Sequence, residues 1–297
     1  MIDIFILFFD QQPAIFLGTL FVLGLLVGSF LNVVIYRLPV MMQHELRHDC
    51  LEFLEQPQDE PVAKFNLIVP RSRCGNCGHQ ITALQNIPVI SYLVLGGKCA
   101  GCGSKISARY PVIELLTAVL TGVVAWRFGF GWEAAAAIVM TWALVAISVI
   151  DFDTQYIYDN VVLPLVWAGL ALSLFNPMEG ADTLFIDPKS AIVGALAGYL
   201  SLWSVYHLFR LITGKEGMGY GDFKLLAALG AWLGWKMLPL IILMSAVVGA
   251  VTGVLMIVLK LQERSKPIPF GPYLAAAGWI AMLWGEDIVV WYLDYMS

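Results

Sequence analysis

Two aspartates stand at the edges of strongly apolar stretches of this chain. Asp151 directly follows the apolar run Val145–Ile150, and Asp222 closes a Gly-x-Gly-Asp sequence before another apolar stretch begins. An ionisable side chain near the membrane interior is costly and is usually kept for function. Two carboxyls held together, one protonated and one ionised, are the groups with which aspartic proteases hydrolyse peptide bonds. The pair predicts general acid–base hydrolysis, without a covalent acyl-enzyme, if the fold brings the two side chains together.

Helix capping is the alternative explanation for these carboxyls. Asp222 stands where an N-cap residue is expected, so capping remains open for it. Asp151 ends its helix, where the macrodipole disfavours a carboxylate, so capping does not explain it. Asp153 is the nearest rival to Asp151, and Asp159 is explained as the N-cap of the next helix. Lys224 either tunes Asp222 or extends its amine to the membrane surface.

Four cysteines form two Cys-x-x-Cys pairs separated by 21 residues. This spacing is typical of a structural zinc site, here Cys74, Cys77, Cys99 and Cys102. Four thiolate ligands leave no coordination position for water, so a structural role is expected rather than metal catalysis. The alternative is two disulfides, which do not persist in a reducing compartment. The fifth cysteine, Cys50, has no partner at such a spacing.

The composition indicates which elements must hold these residues. The chain is 59% hydrophobic and 13% charged, with a mean hydropathy of +0.78, whereas soluble domains carry about a quarter charged residues. An integral membrane protein is therefore expected. The net charge of −5 gives no indication of nucleic-acid binding. The first apolar stretch follows Asp3 and Asp10 rather than a basic segment and precedes no small-residue cleavage site, so we expect a retained span rather than a signal peptide.

Eight apolar stretches approach the ~20 residues that cross a bilayer as a helix. They are approximately Ala14–Tyr36, Pro111–Trp126, Ala134–Ile150, Asn160–Phe175, Ala191–Leu211, Phe223–Trp235, Leu238–Leu259 and Phe270–Gly285. The sixth is rich in Ala and Gly, which favours a helix packed inside a bundle, where small residues let backbones approach. The sequence therefore predicts an all-α polytopic fold of about eight transmembrane helices.

Lysine and arginine predict the orientation of these spans. With eight spans, 14 of the 17 basic residues fall on one side, eight of them in the long loop from about Arg37 to Tyr110. We expect this side to be cytoplasmic, with both termini facing outward. The cysteine loop then lies in a reducing compartment, which favours zinc over disulfides. Asp151 and Asp222 then lie at one membrane face, at the ends of different helices.

Together with the aspartates and cysteines, seven motifs make the chain resemble the type IV prepilin peptidases over nearly its whole length. They are Gly28-Ser-Phe-Leu-Asn-Val-Val-Ile-Tyr-Arg-Leu-Pro39, Pro70-Arg-Ser-Arg-Cys74, Asn86-Ile-Pro-Val-Ile-Ser-Tyr92, Arg109-Tyr-Pro-Val-Ile-Glu114, Asp151-Phe-Asp153, Lys215-Glu-Gly-Met-Gly-Tyr-Gly-Asp-Phe-Lys224 and Pro267-Ile-Pro-Phe-Gly-Pro-Tyr273. One departure is Tyr158, where the family usually has proline, and it bears on the local turn rather than on Asp151 or Asp222.

The resemblance implies a bifunctional enzyme of the inner membrane, an aspartic endopeptidase of the Gly-x-Gly-Asp type and an N-methyltransferase. Asp151 and Asp222 match the family's catalytic pair. The implied partners are prepilins and pseudopilins of pili and type II secretion, embedded in the bilayer. Their basic leaders are cleaved after glycine at the cytoplasmic face, and the new terminus, usually phenylalanine, is methylated from S-adenosylmethionine. Both chain termini are then periplasmic.

The two activities are assigned to two parts of the chain. Residues 1–130, with the zinc loop 37–110, are expected to serve methyl transfer, because residues 131–297 already contain a complete protease. The sequence has no glycine-rich nucleotide-binding fingerprint, so the S-adenosylmethionine site stays unassigned. Two other classes remain open at this point. Buried carboxyls also mark ion and proton relays in transporters, and a zinc-stapled assembly scaffold would use the aspartates only as caps.

Overall fold

The computed structural model describes residue 9 and residues 12–56, 65–175, 186–259 and 268–296. Regular structure in these ranges is helical, apart from two isolated bridges, which confirms the predicted all-α class. The helices are α1 Pro13–Phe53, α2 Ile90–Val94, α3 Arg109–Phe128, α4 Trp132–Thr154, α5 Asp159–Ser173, α6 Pro188–Thr213, α7 Tyr220–Leu233, α8 Leu238–Val258 and α9 Gly271–Met296. Among the basic and acidic residues used above, Asp3, Asp10, Lys64, Lys260, Arg264 and Lys266 lie outside the described ranges.

Each of the eight predicted spans falls on one of these helices. Six helices are long and apolar enough to cross a membrane, namely α1, α3, α4, α6, α8 and α9. The other two, α5 and α7, have 15 and 14 residues and measure roughly 22 Å, which is less than the ~30 Å hydrocarbon core. Their predicted spans were also among the shortest.

Helix α1 is much longer than its predicted span, because it continues from Tyr36 to Phe53. Its 41 residues extend about 60 Å, twice the thickness of the hydrocarbon core. The segment 37–53 was predicted to belong to the zinc loop. This segment is helical, because loss of hydrophobicity marks the membrane boundary and not the end of a helix.

The chain divides into two compact units, one ending at Phe130 and the other beginning at Gly131. In unit 1, α1 and α3 pack in antiparallel fashion along a line of small residues. A Cβ at Gly24 would lie 2.7 Å from the Cα of Ala118, and one at Gly28 would lie 2.7 Å from the Cα of Glu114. Glycine is needed at both positions because the two backbones approach this closely.

In unit 2, the short helix α7 is the core of the bundle. Eleven of its residues, Asp222, Phe223 and Leu225–Leu233, are buried. A Cβ at Gly198 of α6 would lie 2.5 Å from the carbonyl oxygen of Leu226, so α6 and α7 touch backbone to backbone. The Trp232 indole donates a hydrogen bond of 2.8 Å to the Leu165 carbonyl of α5. The predicted position of this Ala- and Gly-rich helix inside the bundle is confirmed.

Candidate functional site: a carboxyl pair and a four-cysteine cluster

Asp151 lies in the last turn of α4, and its side chain is buried, with the residue only 5% exposed. The backbone N–H of Gly271, the first residue of α9, donates a hydrogen bond of 3.0 Å to Asp151 Oδ2. The carboxyl therefore lies at the amino-terminal end of a second helix, α9, where the macrodipole favours negative charge. This contact compensates the unfavourable position of Asp151 at the end of its own helix.

Asp222 is the third residue of α7 and is also buried, with 7% of its surface exposed. Gly219 occupies the N-cap position, and Asp222 donates its backbone N–H to the Gly219 carbonyl at 3.3 Å. The N-cap alternative for Asp222 is thus wrong, because α7 begins one turn earlier than that reading requires. Asp151 and Asp222 lie within electrostatic range of each other in unit 2, and Ile157 packs against Gly271 beside Asp151 and against Gly221 beside Asp222.

Gly271, which contacts Asp151, and Gly221, which precedes Asp222, both pack against Ile157. A Cβ at Gly221 would lie 2.6 Å from Ile157 Cβ. A Cβ at Gly271 would lie 2.6 Å from Asp151 Oδ2 and 3.0 Å from Ile157 Cδ1. Neither glycine has a positive φ, so close approach rather than backbone freedom explains them. Gly271 belongs to the motif Pro267–Tyr273, of which the structure describes residues 268–273. The sequence alone assigned no role to this glycine.

The other polar residues of this region have different surroundings. Asp153 is exposed, unlike Asp151. Tyr158 is the N-cap residue of α5, and Asp159, predicted to be that cap, is the first helical residue instead. Lys224 Nζ lies 2.6 Å from Asp159 Oδ1, so its amine pairs with Asp159 at a partly exposed position. Tyr158 has φ −78° and ψ 134°, which proline also adopts, so the departure from the family leaves the turn unchanged.

The four predicted cysteine ligands lie together in unit 1, with all four sulfurs within 4.8 Å of one another. Cys74 and Cys102 have their sulfurs 3.9 Å apart, and Cys77 and Cys99 have theirs 4.0 Å apart. Tetrahedral zinc with bonds of ~2.3 Å requires sulfurs ~3.8 Å apart, whereas a disulfide requires ~2.05 Å. These cysteines are free thiols, as is Cys50, and the donor set fits a metal ion.

The two Cys-x-x-Cys pairs form two tight turns with the same hydrogen-bond pattern. The backbone N–H groups of Cys74 and Cys99 donate to the carbonyls five residues later, at 2.8 Å in both turns. Gly78 and Gly103 both have φ +70°, a conformation that favours glycine. Backbone N–H groups of Cys77 and Asn76 lower the pKa of the Cys74 thiol to about 6, which favours the thiolate that a metal binds.

The two sites differ in what they can do chemically. The carboxyl pair, buried in unit 2 at the ends of two helices, can share one proton and act as acid and base. The cysteine cluster is a closed set of four sulfurs and suits structure rather than catalysis.

Two family models match the chain, one within each unit. Residues 22–128 match the bacterial peptidase A24 N-terminal domain, and residues 138–254 match the type IV leader peptidase family. A protein of Stutzerimonas stutzeri is 55% identical over 97% of both chains. Proteins of Pseudomonas aeruginosa and Aeromonas salmonicida are each 53% identical, over 96% and 95% of both chains. All three are named prepilin leader peptidase/N-methyltransferase.

No solved structure matches the chain. Two domain matches that cover both units, and relatives this similar along almost the whole chain, establish that the protein belongs to the type IV leader peptidase family.

Proposed function

We propose that the chain is a bifunctional membrane enzyme, which cleaves the leader peptides of type IV prepilins and type II secretion pseudopilins and then methylates the new amino terminus. Family membership supports both activities and a multi-pass position in the inner membrane. The single observation that carries the protease assignment is the buried pair of Asp151 and Asp222 within unit 2. The protease is assigned to residues 131–297.

The hydrogen bond from Gly271 distinguishes the roles of the two carboxyls. Both carboxyls lie beside a helix amino terminus, so the macrodipole does not separate their roles. Asp151 also accepts the 3.0 Å hydrogen bond from Gly271, which favours its ionised form, and like-charge repulsion then keeps the proton on Asp222. Asp151 is therefore assigned as the base. Asp151 removes a proton from water as the water oxygen attacks the scissile carbonyl carbon. Asp222 gives its proton to the carbonyl oxygen. Asp151 then passes its proton to the leaving amine as the C–N bond breaks, and Asp222 recovers its own.

The position of the pair at helix ends suits a substrate that is cut at the membrane surface. Asp151 lies in the last turn of α4 and Asp222 in the first turn of α7. The excess of Lys and Arg in the loops on this side supports a cytoplasmic site and periplasmic termini. A basic leader would remain in the cytoplasm while the hydrophobic helix of the prepilin stays in the bilayer. Cleavage after glycine then frees a residue that is usually phenylalanine.

Zn²⁺ is the proposed ion for Cys74, Cys77, Cys99 and Cys102, because four thiolates at these separations match its preferred geometry. When bound, the ion would offset part of the negative charge of the four thiolates and join the two tight turns. The methyl donor is S-adenosylmethionine, and methylation is assigned to residues 1–130. A transporter is disfavoured because the carboxyls lie at helix ends rather than in mid-span.

Mass spectrometry of a prepilin incubated with the purified protein and S-adenosylmethionine tests both activities together. We expect a product that lacks its leader and carries one methyl group on the new terminal nitrogen. An intact prepilin would contradict the protease, and a cleaved but unmethylated product would contradict the methyltransferase. A scaffold would leave the prepilin unchanged while still binding it.

A further inference from the structure

A cleft of about 910 Å³ lies in unit 1 next to the cysteine cluster. Small-molecule sites have volumes of roughly 300–1,000 Å³. We propose that this cleft is the binding site of the methyl donor, S-adenosylmethionine. The inference rests on the methyltransferase half of the proposed function and adds the site, which neither the motifs nor the relatives assign.

Four motifs of the family resemblance that lie in unit 1, outside the part of the chain that contains Asp151 and Asp222, meet at this cleft. They are the segments Gly28–Pro39, Pro70–Cys74, Asn86–Tyr92 and Arg109–Glu114, and each contributes lining residues. These segments are spread over more than 80 positions of the sequence, and folding brings them to one cavity. A binding site explains this convergence better than packing does, because an open cleft leaves their side chains available to a ligand.

Buried polar side chains hold the walls of the cleft in place. The Arg37 guanidinium donates to the backbone carbonyls of Asn66 and Pro70 at 2.8 and 2.6 Å. The Asn32 side-chain amide donates to the Tyr110 carbonyl at 3.1 Å. Arg37 and Asn32 are each only 7% exposed, so the bonds are shielded from competing water. The cleft is therefore formed before a ligand arrives, which lowers the entropic cost of binding.

The lining matches the three parts of S-adenosylmethionine. Tyr36 and Tyr92 offer aromatic faces for the adenine ring. Arg71 and Arg73 are exposed cations on the lining, and their guanidinium groups suit the carboxylate of the methionine part. Glu114, which is the only carboxyl among the described residues of the lining, accepts a hydrogen bond of 2.8 Å from the Val89 backbone N–H. Its negative charge balances the positive sulfonium.

The first test fills the cleft by mutation in the full-length protein in detergent. Ser91 is half-buried on the lining, whereas Leu93 is 70% exposed on the same short helix and does not line the cleft. We expect Ser91→Trp to weaken binding of S-adenosylhomocysteine by roughly 100-fold or more, measured by calorimetry, because the new ring occupies the ligand volume. Leu93→Trp is the matched control and keeps the wild-type affinity. Equal zinc content and melting temperature in the two variants show that both are folded.

A second test needs no mutation. Ultraviolet cross-linking of methyl-labelled S-adenosylmethionine to the wild-type protein is followed by peptide mapping, and we expect the label within residues 28–114. A label within residues 131–297, or unchanged affinity of folded Ser91→Trp, would overturn this site. Failure of the wild-type protein to methylate a cleaved prepilin would instead overturn the methyltransferase function itself, so the two failures are distinguishable.

Discussion

Gly271 is predicted to position the catalytic base, and Gly271→Ala tests this directly. The added Cβ would lie 2.6 Å from Asp151 Oδ2, while ordinary contact begins near 3.4 Å. The two groups must therefore separate by about 0.8 Å, the difference between these distances. Ile157 Cδ1, 3.0 Å from the new atom, limits the space into which α9 can move.

The expected loss of activity follows from this displacement. A misplacement of about 1 Å in an active site costs on the order of 100-fold in rate, so kcat for leader cleavage should fall roughly 10- to 100-fold, or about 1.4 to 2.7 kcal/mol in activation free energy. KM should change little, because Asp151 acts on the reacting water rather than on the prepilin helix. Alanine also favours helix more than glycine by up to about 1 kcal/mol, so the melting temperature should be retained.

The assay is steady-state cleavage of a prepilin in detergent, with kcat and KM measured separately. Gly285→Ala, on the same helix, is the matched control. Its Cβ would lie 2.9 Å from the sulfur of the flexible Met237 side chain and in ordinary contact with Ala281 Cβ at 3.6 Å, so the kcat of this variant should stay near that of the wild type. A folded Gly271→Ala enzyme with wild-type kcat would refute the positioning role.

Three further predictions concern the surrounding residues. Cys74→Ser should lower the zinc content from near one ion per chain, measured by metal analysis, and should reduce methylation at least as much as cleavage, because the two turns lose their shared ligand. Lys224→Met should lower the unfolding free energy by only about 0.2–1 kcal/mol in thermal denaturation, because its partly exposed ion pair with Asp159 is screened by water; a large loss of kcat would show that Lys224 tunes Asp222 after all. Asp153→Asn should keep wild-type cleavage rates in the prepilin assay, and a loss comparable to that of an Asp151 variant would transfer the role of the base to Asp153.

The predictable part of the site was local in sequence. Asp151 was distinguished from Asp153 by the apolar run before it, and the structure places the first inside unit 2 and the second at its surface. The spacing of the cysteines likewise indicated a cluster, because each Cys-x-x-Cys turn is formed by neighbouring residues. Hydropathy located the helices because every span must be apolar to face lipid.

The parts that were missed depend on distant residues or on small shifts of helix ends. Gly271 contacts Asp151 across 120 positions and Lys224 contacts Asp159 across 65, and no local pattern reports such pairs. The N-cap of α7 fell on Gly219 rather than Asp222 because helix starts cannot be fixed to within a residue or two by pattern. The sequence predicted the apolar span of α1 but not the residue at which its helix ends, because polar residues can continue a helix beyond the membrane.

The central claim, that Asp151 and Asp222 act as one catalytic pair, is tested most directly by the cleavage rates of Asp151→Asn, Asp222→Asn and the double variant. Residues that act as a unit are strongly non-additive. We predict that each single substitution lowers kcat by about 10⁴-fold or more, that the double variant is no slower than either, and that all three keep zinc and bind S-adenosylhomocysteine normally. A folded single variant that cleaves a prepilin within about tenfold of the wild-type rate would contradict the account.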